Sequence, residues 1–325
     1  MFQVIGRRAA LSLAAAGGLA GVARAQGAYP SRAVRVVVPY AAGGSSDVVA
    51  RLVSSRLQVL LGGAPFVVEN RPGAGSMLGT EAVARSPADG HTLLLADTPH
   101  AILPALQERM PYDSLADFTP VSLVAATPQI LFVHPAVTAR TPAEFIEAAK
   151  AQPDRFAYAS AGIGTSSHLT AERLQLLTGA RMTHVPYRGA APALTDLASG
   201  NVQAFFATIA SGAQLIRDGQ IRALGVLSEA RLPALPDVPT FREGGLDLVV
   251  ESWFGLLGPA GMPRPAVDRL TAALREAVAT PEVASRFEAL GIAARVDGPD
   301  AFARMLREDT ARWREVVQAT GVRLT

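Results

Sequence analysis

The chain has 325 residues, of which 49% are hydrophobic and 18% are charged. This is the composition of a globular protein large enough for two ordinary domains, and it excludes a disordered chain. Cysteine is absent, which excludes disulfide bonds, a thiolate nucleophile and a cysteine-ligated metal.

The first 25 residues have the layout of a secretory signal peptide. Arg7 and Arg8 precede a small apolar run over residues 9–22, and residues 23–25 form an A-x-A cleavage site. We therefore expect export, by the general secretory or the twin-arginine route, with cleavage before about Gln26. The alternative is a membrane anchor, but a run of about 14 residues is too short to span a bilayer.

Removal of this segment changes the charge balance of the chain. The segment carries three arginines and no acidic residue, so 30 basic residues become 27 against 28 acidic ones, a net charge of −1. A balance this close to neutral gives no indication of nucleic acid binding. No later apolar run approaches the length of a membrane span, so we expect the mature protein to be soluble.

From residue 29 onward, short apolar runs alternate with helical patterns. The run at 34–38 predicts a strand buried on both faces, and a Gly/Ser turn then leads into a helix that begins at Ser45 or Ser46 and ends near Gly62. Further strands are predicted at 66–68, 92–95, 130–133, 156–158, 183–185, 202–206 and 221–227, and further helices at 77–85, 142–151, 167–177 and 191–198. Two apolar stripes, at 267–278 and 302–317, add C-terminal helices. The alternation predicts an α/β fold with mostly parallel sheets.

Two Gly/Ser loops, at 43–47 and 160–166, each follow a strand and open a helix. Ligands of open α/β sheets bind outside the carboxyl ends of the strands, and helix N-termini favour anions. Glycine also allows an anion to approach backbone N–H groups closely. The loops therefore predict a site for a carboxylate, the alternative being that they are ordinary tight turns.

Other kinds of site receive less support. Gly73, Gly75 and Gly79 resemble a dinucleotide fingerprint, but their spacing is one residue too long, which favours a structural turn. The histidines lack any compact metal-ligand spacing, so we expect neither a metal nor a cofactor. They are His91, His100, His134, His168 and His184. An exported hydrolase acting on an ester is the alternative function, because Ser160, Ser166, Ser167 and His168 lie close together. However, the chain has no G-x-S-x-G motif, so we expect a binding protein rather than an enzyme.

Many motifs in a fixed order connect this chain with one family. They include V-R-V-V-V-P-Y-A-A-G-G-S-S-D at 34–47, V-V-E-N-R-P-G-A-G at 67–75, A-D-G-H-T-L-L-L at 88–95, Y-A-S-A-G-I-G-T-S-S-H-L at 158–169, H-V-P-Y-R-G at 184–189 and S-W-F-G-L-L-G-P-A-G at 252–261. On these residues the chain resembles the substrate-binding proteins of tripartite tricarboxylate transporters, the Bug receptors of Gram-negative bacteria. The resemblance covers nearly all of the mature chain.

The resemblance implies a periplasmic-binding-protein (Venus-flytrap) fold, with two α/β domains joined by two crossovers. Domain 1 would hold residues 27–124 and 252–325, and domain 2 residues 125–251. The implied function is capture of a small organic carboxylate in the cleft between the domains, in the periplasm and without chemistry. The implied partner is a two-part membrane permease, or alternatively a sensor, and we expect a monomer. Which carboxylate is bound stays open.

The resemblance also implies site residues, because the family holds carboxylates with backbone amides, hydroxyls and bridging waters. The matching positions in the first loop are Tyr40, Ala42, Gly43, Gly44, Ser45 and Asp47. Those in the second loop are Ser160, Gly162, Gly164, Thr165, Ser166 and His168. Tyr187, Arg188 and Thr208 complete the set. Many relatives carry Asp where this chain has Ala207, so a side-chain contact from that position is missing here.

Overall fold

The structure, a computed structural model, describes residues 29–107, 109–153 and 155–320. The expected signal peptide and its cleavage site before Gln26 lie outside these residues. Within them, no helix combines the length and the apolar character that a bilayer crossing requires.

Strands and helices alternate along the described chain. The strands are β1 (Val34–Val38), β2 (Phe66–Asn70), β3 (Thr92–Asp97), β4 (Phe118–Pro128), β5 (Ile130–Val133), β6 (Ala157–Ser160), β7 (Thr183–Pro186), β8 (Ala204–Ala207), β9 (Arg222–Val226), β10 (Glu251–Pro259) and β11 (Ala293–Ala294). The helices are α1 (Ser45–Leu60), α2 (Met77–Ala84), α3 (Pro99–Leu106), α4 (Pro142–Ala151), α5 (Ser166–Thr178), α6 (Ala190–Ala198), α7 (Ile209–Arg217), α8 (Arg264–Ala279), α9 (Pro281–Ala289) and α10 (Pro299–Thr320).

The strands form two sheets, which confirms the α/β class. The first sheet has the order β11-β4-β10-β3-β1-β2, and the second has the order β7-β6-β8-β5-β9. The chain leaves the first sheet at the end of β4, enters the second at β5 after a single residue, and returns through β10. Two passages between the sheets are therefore present, whereas the exact limits of two domains stay a prediction.

Strand direction differs from the expectation of mostly parallel sheets, because both sheets are mixed. β1 pairs in parallel with β2 and β3, and β6 with β7 and β8. The pairs of β10 with β3 and β4, of β11 with β4, and of β5 with β8 and β9 are antiparallel. A buried apolar run indicates that both faces of a strand are covered but carries no information on its direction. All five of these antiparallel pairs include β4, β5 or β10, the strands by which the chain passes between the sheets.

Burial explains why the strand patterns are continuous rather than alternating. Val36, Val37 and Val38 of β1 are all at most 1% exposed, because α1 and α8 cover one face of the sheet and α2 and α10 cover the other. The predicted C-terminal stripes are also buried: Val267, Leu270 and Leu274 of α8 face the core of the first sheet.

The connections after the strands position the ligand site. β1, β3, β6, β7 and β8 are each followed by a helix, namely α1, α3, α5, α6 and α7. The start of each helix therefore lies near the carboxyl end of the strand before it. Because strands of both sheets are involved, helix N-termini approach one another from two sides.

Candidate functional site

A cavity lies between the two sheets, where the turns that follow their strands meet. Its floor on the first sheet is formed by Asp97, Gln129, Ser252 and Phe254. Phe205, Phe206 and Ala207 line it from the end of β8 in the second sheet. The remaining wall is made by the starts of helices.

Five helices begin at this cavity: α1, α3, α5, α6 and α7. None of the five receives a capping hydrogen bond from the residue that precedes it, which is glycine at α1 and α6, although the Ser45 N–H of α1 is bound by the Ser211 hydroxyl of α7. At α4, which does not reach the cavity, the Thr141 hydroxyl does accept from the Glu144 N–H, at 3.2 Å. The N-terminal N–H groups of a helix lack intrahelical partners, and the helix dipole makes this end positive. Five such ends favour an anion in the cavity.

The charge of the lining supports the same conclusion. Among the described residues that line the cavity, none is Lys, Arg or His. An anion held here would therefore be bound by backbone and hydroxyl dipoles rather than by a formal countercharge. Hydroxyl groups are available from Ser45, Ser166 and Thr208, all at or near helix starts.

Asp47, in the first turn of α1, organises the first loop. Its carboxylate accepts hydrogen bonds from the Gly43 N–H at 3.0 Å, from Arg51 Nε at 3.0 Å and from Asn70 Nδ2 at 3.0 Å. Burial opposes ionisation of Asp47, but these donors outweigh it and lower the pKa. The side chain is thus occupied by its own loop, although it also lines the cavity.

Asp97, at the end of β3, has a different environment. It accepts from the Tyr40 hydroxyl at 3.0 Å and from the Ser46 hydroxyl at 3.1 Å. Burial raises the pKa of Asp97 to about 7, although both hydroxyl donors act to lower it. It is a carboxyl group on the floor of a cavity that otherwise favours anions.

Behind the second loop, aromatic and hydroxyl side chains form a buried stack. Tyr158, His184 and His168 lie almost parallel, with ring centroids 4.8 Å and 4.1 Å apart along the stack. Ser160 is hydrogen-bonded to His184 Nε2 at 2.7 Å, and the Gly164 N–H donates to His168 Nδ1 at 3.2 Å. Burial, together with the neighbouring His168, lowers the pKa of His184 to about 4, so the imidazole is neutral. The stack supports the loop from below.

The two sheets contact each other around the cavity. The Ser45 N–H in α1 donates to the Ser211 hydroxyl of α7 at 3.2 Å, and Ser166 and Ser252 lie 3.4 Å apart between hydroxyl oxygens. A methyl group added at Gly75 would lie 2.7 Å from the carbonyl oxygen of Ile163. The two halves of the structure, each built on one of the sheets, are therefore in close contact, and the cavity lies between them.

A second, more open space adjoins the cavity through Tyr40 and Ala161. It is lined from the first half by the turn 73–77, which precedes and begins α2, and from the second half by Gly162, Tyr187 and Arg188. The Tyr187 hydroxyl donates to Asp196 at 2.6 Å. We call this space the mouth.

The positions of the sequence-predicted site residues fall into three groups. Those lining the cavity are Tyr40, Gly44, Ser45, Asp47, Thr165, Ser166 and Thr208. Those lining the mouth, besides Tyr40, are Gly162, Tyr187 and Arg188. Ala42, Gly43, Ser160, Gly164 and His168 line neither space. Among this third group, Ser160 is fully buried and Gly43 donates to Asp47.

Sequence reasoning missed several lining residues. They include Asp97, Thr98 and Pro99 after β3, and Gln129, Ser211 and Ser252. Asp97 and Thr98 did carry a signal, because a polar pair at the end of a buried strand precedes a proline that suits the first position of a helix. Gln129, Ser211 and Ser252 carried none, because the sequence pattern did not predict β4, α7 and β10, the elements that position them.

Comparisons with known proteins agree with this geometry. The family model described as "Tripartite tricarboxylate transporter family receptor" matches residues 49–322. Protein BugT of Bordetella pertussis is 37% identical over 299 residues, which cover 91% of this chain and 91% of that protein.

Solved structures show the same architecture. The periplasmic binding protein BugD superposes with a TM-score of 0.87 at 34% identity, over 91% of this chain and 99% of that one. Rpa4515 of R. palustris with adipate superposes with a TM-score of 0.88 at 32% identity, over 91% of this chain and 99% of that one. MatC of Rhodopseudomonas palustris with bound malate superposes with a TM-score of 0.85 at 35% identity, over 89% of this chain and 100% of that one. The fold is thus that of periplasmic binding proteins, and the chain belongs to the tripartite tricarboxylate transporter receptor family.

Proposed function

We propose that this protein is a periplasmic receptor that captures a small organic carboxylate in the cavity between its sheets and delivers it to a two-part membrane permease. The observation that carries the proposal is the meeting of five uncapped helix N-termini at one cavity. The adipate and malate in two solved relatives support the ligand class.

Binding without chemistry fits the site better than ester hydrolysis. The serine that pairs with a histidine, Ser160, is fully buried and does not line the cavity. A nucleophile must reach the carbonyl carbon of its substrate, so this pair is suited to supporting the loop. The hydrolase alternative therefore receives no specific support.

The test removes one N–H group from the cavity. Ser166 is the first residue of α5, where proline is tolerated, and the backbone of Thr165 (φ −76°, ψ 161°) suits a residue before proline. We expect Ser166→Pro to weaken binding of the tightest acid among malate, adipate, succinate and citrate by about tenfold or more, measured by calorimetry. Ser166→Ala keeps the N–H and removes the hydroxyl, and we expect a smaller loss.

The same preparations decide between receptor and enzyme. A receptor binds one acid per chain and does not turn over p-nitrophenyl acetate. If none of the acids bind, or if Ser166→Pro binds as tightly as the wild type, recognition by helix N-termini is wrong. If the ester is hydrolysed at a rate that Ser160→Ala abolishes, the hydrolase alternative is correct.

A further inference from the structure

The floor of the cavity carries hydrogen-bond acceptors, in contrast to the donors on its walls. Asp97 presents a carboxyl group at the end of β3, and Gln129 presents its side-chain amide between β4 and β5. β10 lies between β3 and β4, so both side chains belong to the same end of the first sheet. An anionic ligand alone gives these acceptors nothing to bind.

Among the described residues, Asp97 has two side-chain hydrogen bonds but no basic partner. The hydroxyls of Tyr40 and Ser46 each bind a different oxygen of its carboxylate. No basic side chain lines the cavity among the described residues, and Arg51 is engaged by Asp47. A buried carboxylate without a countercharge is costly, which agrees with the raised pKa of Asp97.

Gln129 adds an independent observation. Its side chain is 1% exposed, and its Nε2 donates to the Ser252 hydroxyl at 3.3 Å. Within the described part of the chain, its Oε1 has no hydrogen-bond partner. Buried polar atoms are nearly always satisfied and Gln129 lines the cavity, so a donor within the cavity, from water or from a bound molecule, is expected at this oxygen.

We propose that the ligand carries an ammonium group as well as its carboxylate, and that Asp97 receives the ammonium. The proposal rests on the proposed function, since it assumes that the helix N-termini hold the carboxylate. An ammonium group brings three donors and the missing positive charge to the acceptors on the floor. Phe205, Phe206 and Phe254 leave the rest of the cavity suited to a short carbon skeleton. The ligand class is therefore a small amino acid.

A simple dicarboxylate fits this floor less well. Its second carboxylate would approach Asp97 with the same charge, unless one of the two groups took up a proton. Binding of that kind is accompanied by proton uptake, whereas binding of an ammonium group to an ionised Asp97 is not. The two ligand classes are therefore distinguished by calorimetry in buffers of different ionisation enthalpy.

The test compares pairs of acids that differ only in an amino group. The pairs are succinate with L-aspartate, glutarate with L-glutamate, and 4-methylpentanoate with L-leucine. For the wild type we expect the amine-bearing member to bind about tenfold tighter or more in at least one pair, without proton uptake. In Asp97→Asn this preference should disappear, while the amine-free member binds no more weakly than before.

Further variants protect the test against loss of folding. Tyr40→Phe removes one donor to Asp97 but keeps the charge, so the amine preference should persist. Gln129→Met removes the unpaired acceptor at similar size and should reduce the preference. Asp268→Asn removes an exposed carboxylate that pairs with Arg264 in α8, away from the cavity, and serves as the charge control. The binding of each variant is measured at the same interval below the melting temperature of that variant.

The outcomes separate this proposal from the proposed function. If amine-free acids bind as tightly as their partners in every pair, or if Asp97→Asn leaves the ratio unchanged, the ammonium proposal is wrong and carboxylate capture stands. Proton uptake that Asp97→Asn abolishes would also overturn it, by showing a protonated Asp97. If no acid of either kind binds, the proposed function itself fails.

Discussion

At the scale of single residues, His100 shows how burial sets a protonation state. Its Nε2–H donates to the carbonyl oxygen of Ser114 at 2.8 Å, and its ring packs against Tyr112 and Phe118. Burial lowers the pKa of His100 to about 4, although the hydrogen bond to Ser114 opposes the change. The folded protein therefore keeps this imidazole neutral where the unfolded chain takes up a proton.

We predict that this histidine lowers the free energy of unfolding as the pH falls from about 6.5 to about 4. In that window the unfolded chain binds a proton at His100 and the folded protein does not, so folding becomes less favourable by up to about 3 kcal/mol. Below pH 4 both states are protonated and the effect is constant. Urea unfolding at several pH values measures it.

The prediction is tested by comparing the wild type with a variant, because Asp97 also affects the free energy of unfolding. Its raised pKa stabilises the folded protein as the pH falls over part of the same range. His100→Gln should flatten the dependence of unfolding free energy on pH between 6.5 and 4. His134→Gln, at a partly exposed position, is the control. Equal slopes in the wild type and His100→Gln would contradict the assignment.

At the scale of elements, the loop between β6 and α5 joins the support stack to the cavity. Gly164 has φ 78°, a conformation that branched residues avoid, and its N–H is bound by His168. We predict that Gly164→Val displaces this turn and weakens acid binding by tenfold or more, measured by calorimetry. Arg173→Ala should change binding less than twofold, since Arg173 lies in the groove beside Trp313 and outside the cavity. Normal acid binding by Gly164→Val would contradict the prediction that this turn shapes the cavity.

The same scale shows what could be predicted from sequence. The strands at 34–38 and 130–133 were recognised because they are short apolar runs between turn residues, and α1 and α5 because Gly/Ser turns precede regular patterns. α3 was missed because Pro99 and Pro104 lie within eight residues. With α3 and α7 unrecognised, Thr98 and Ser211 could not be placed at the cavity. Asp97 could not be linked to Tyr40 and Ser46 without the order of the strands.

At the scale of the whole molecule, glycines allow the two halves to approach. A Cβ added at Gly75 (φ 65°) would lie 2.7 Å from the carbonyl oxygen of Ile163 across the mouth. A Cβ added at Gly189 would lie 3.3 Å from Ala41. A side chain at these positions would hold the halves apart. We infer that ligand binding closes a hinge between the sheets, as expected for this fold.

We predict that Gly75→Ala reduces closure. Small-angle scattering of the wild type should show a smaller radius of gyration with a saturating acid than without it, and the variant should show less change and weaker binding. Gly62→Ala is the matched control, because Gly62 has φ 85° but no neighbour within 4 Å. Both variants lose about 1–2 kcal/mol of stability from the left-handed conformation. An unchanged radius in the wild type would rule out closure in solution.

The five helix ends at the cavity have a consequence for how such receptors diversify. A main-chain N–H is encoded by every residue except proline, so most mutations at these turns, outside the glycines with positive φ such as Gly43, Gly164 and Gly189, preserve the means of holding an acid group. Changes at Asp97, Ala207 or Phe254 instead alter the charge and shape of the remaining space. After gene duplication, a few substitutions can therefore change which solute a receptor binds, while the N–H groups that hold the carboxylate stay the same.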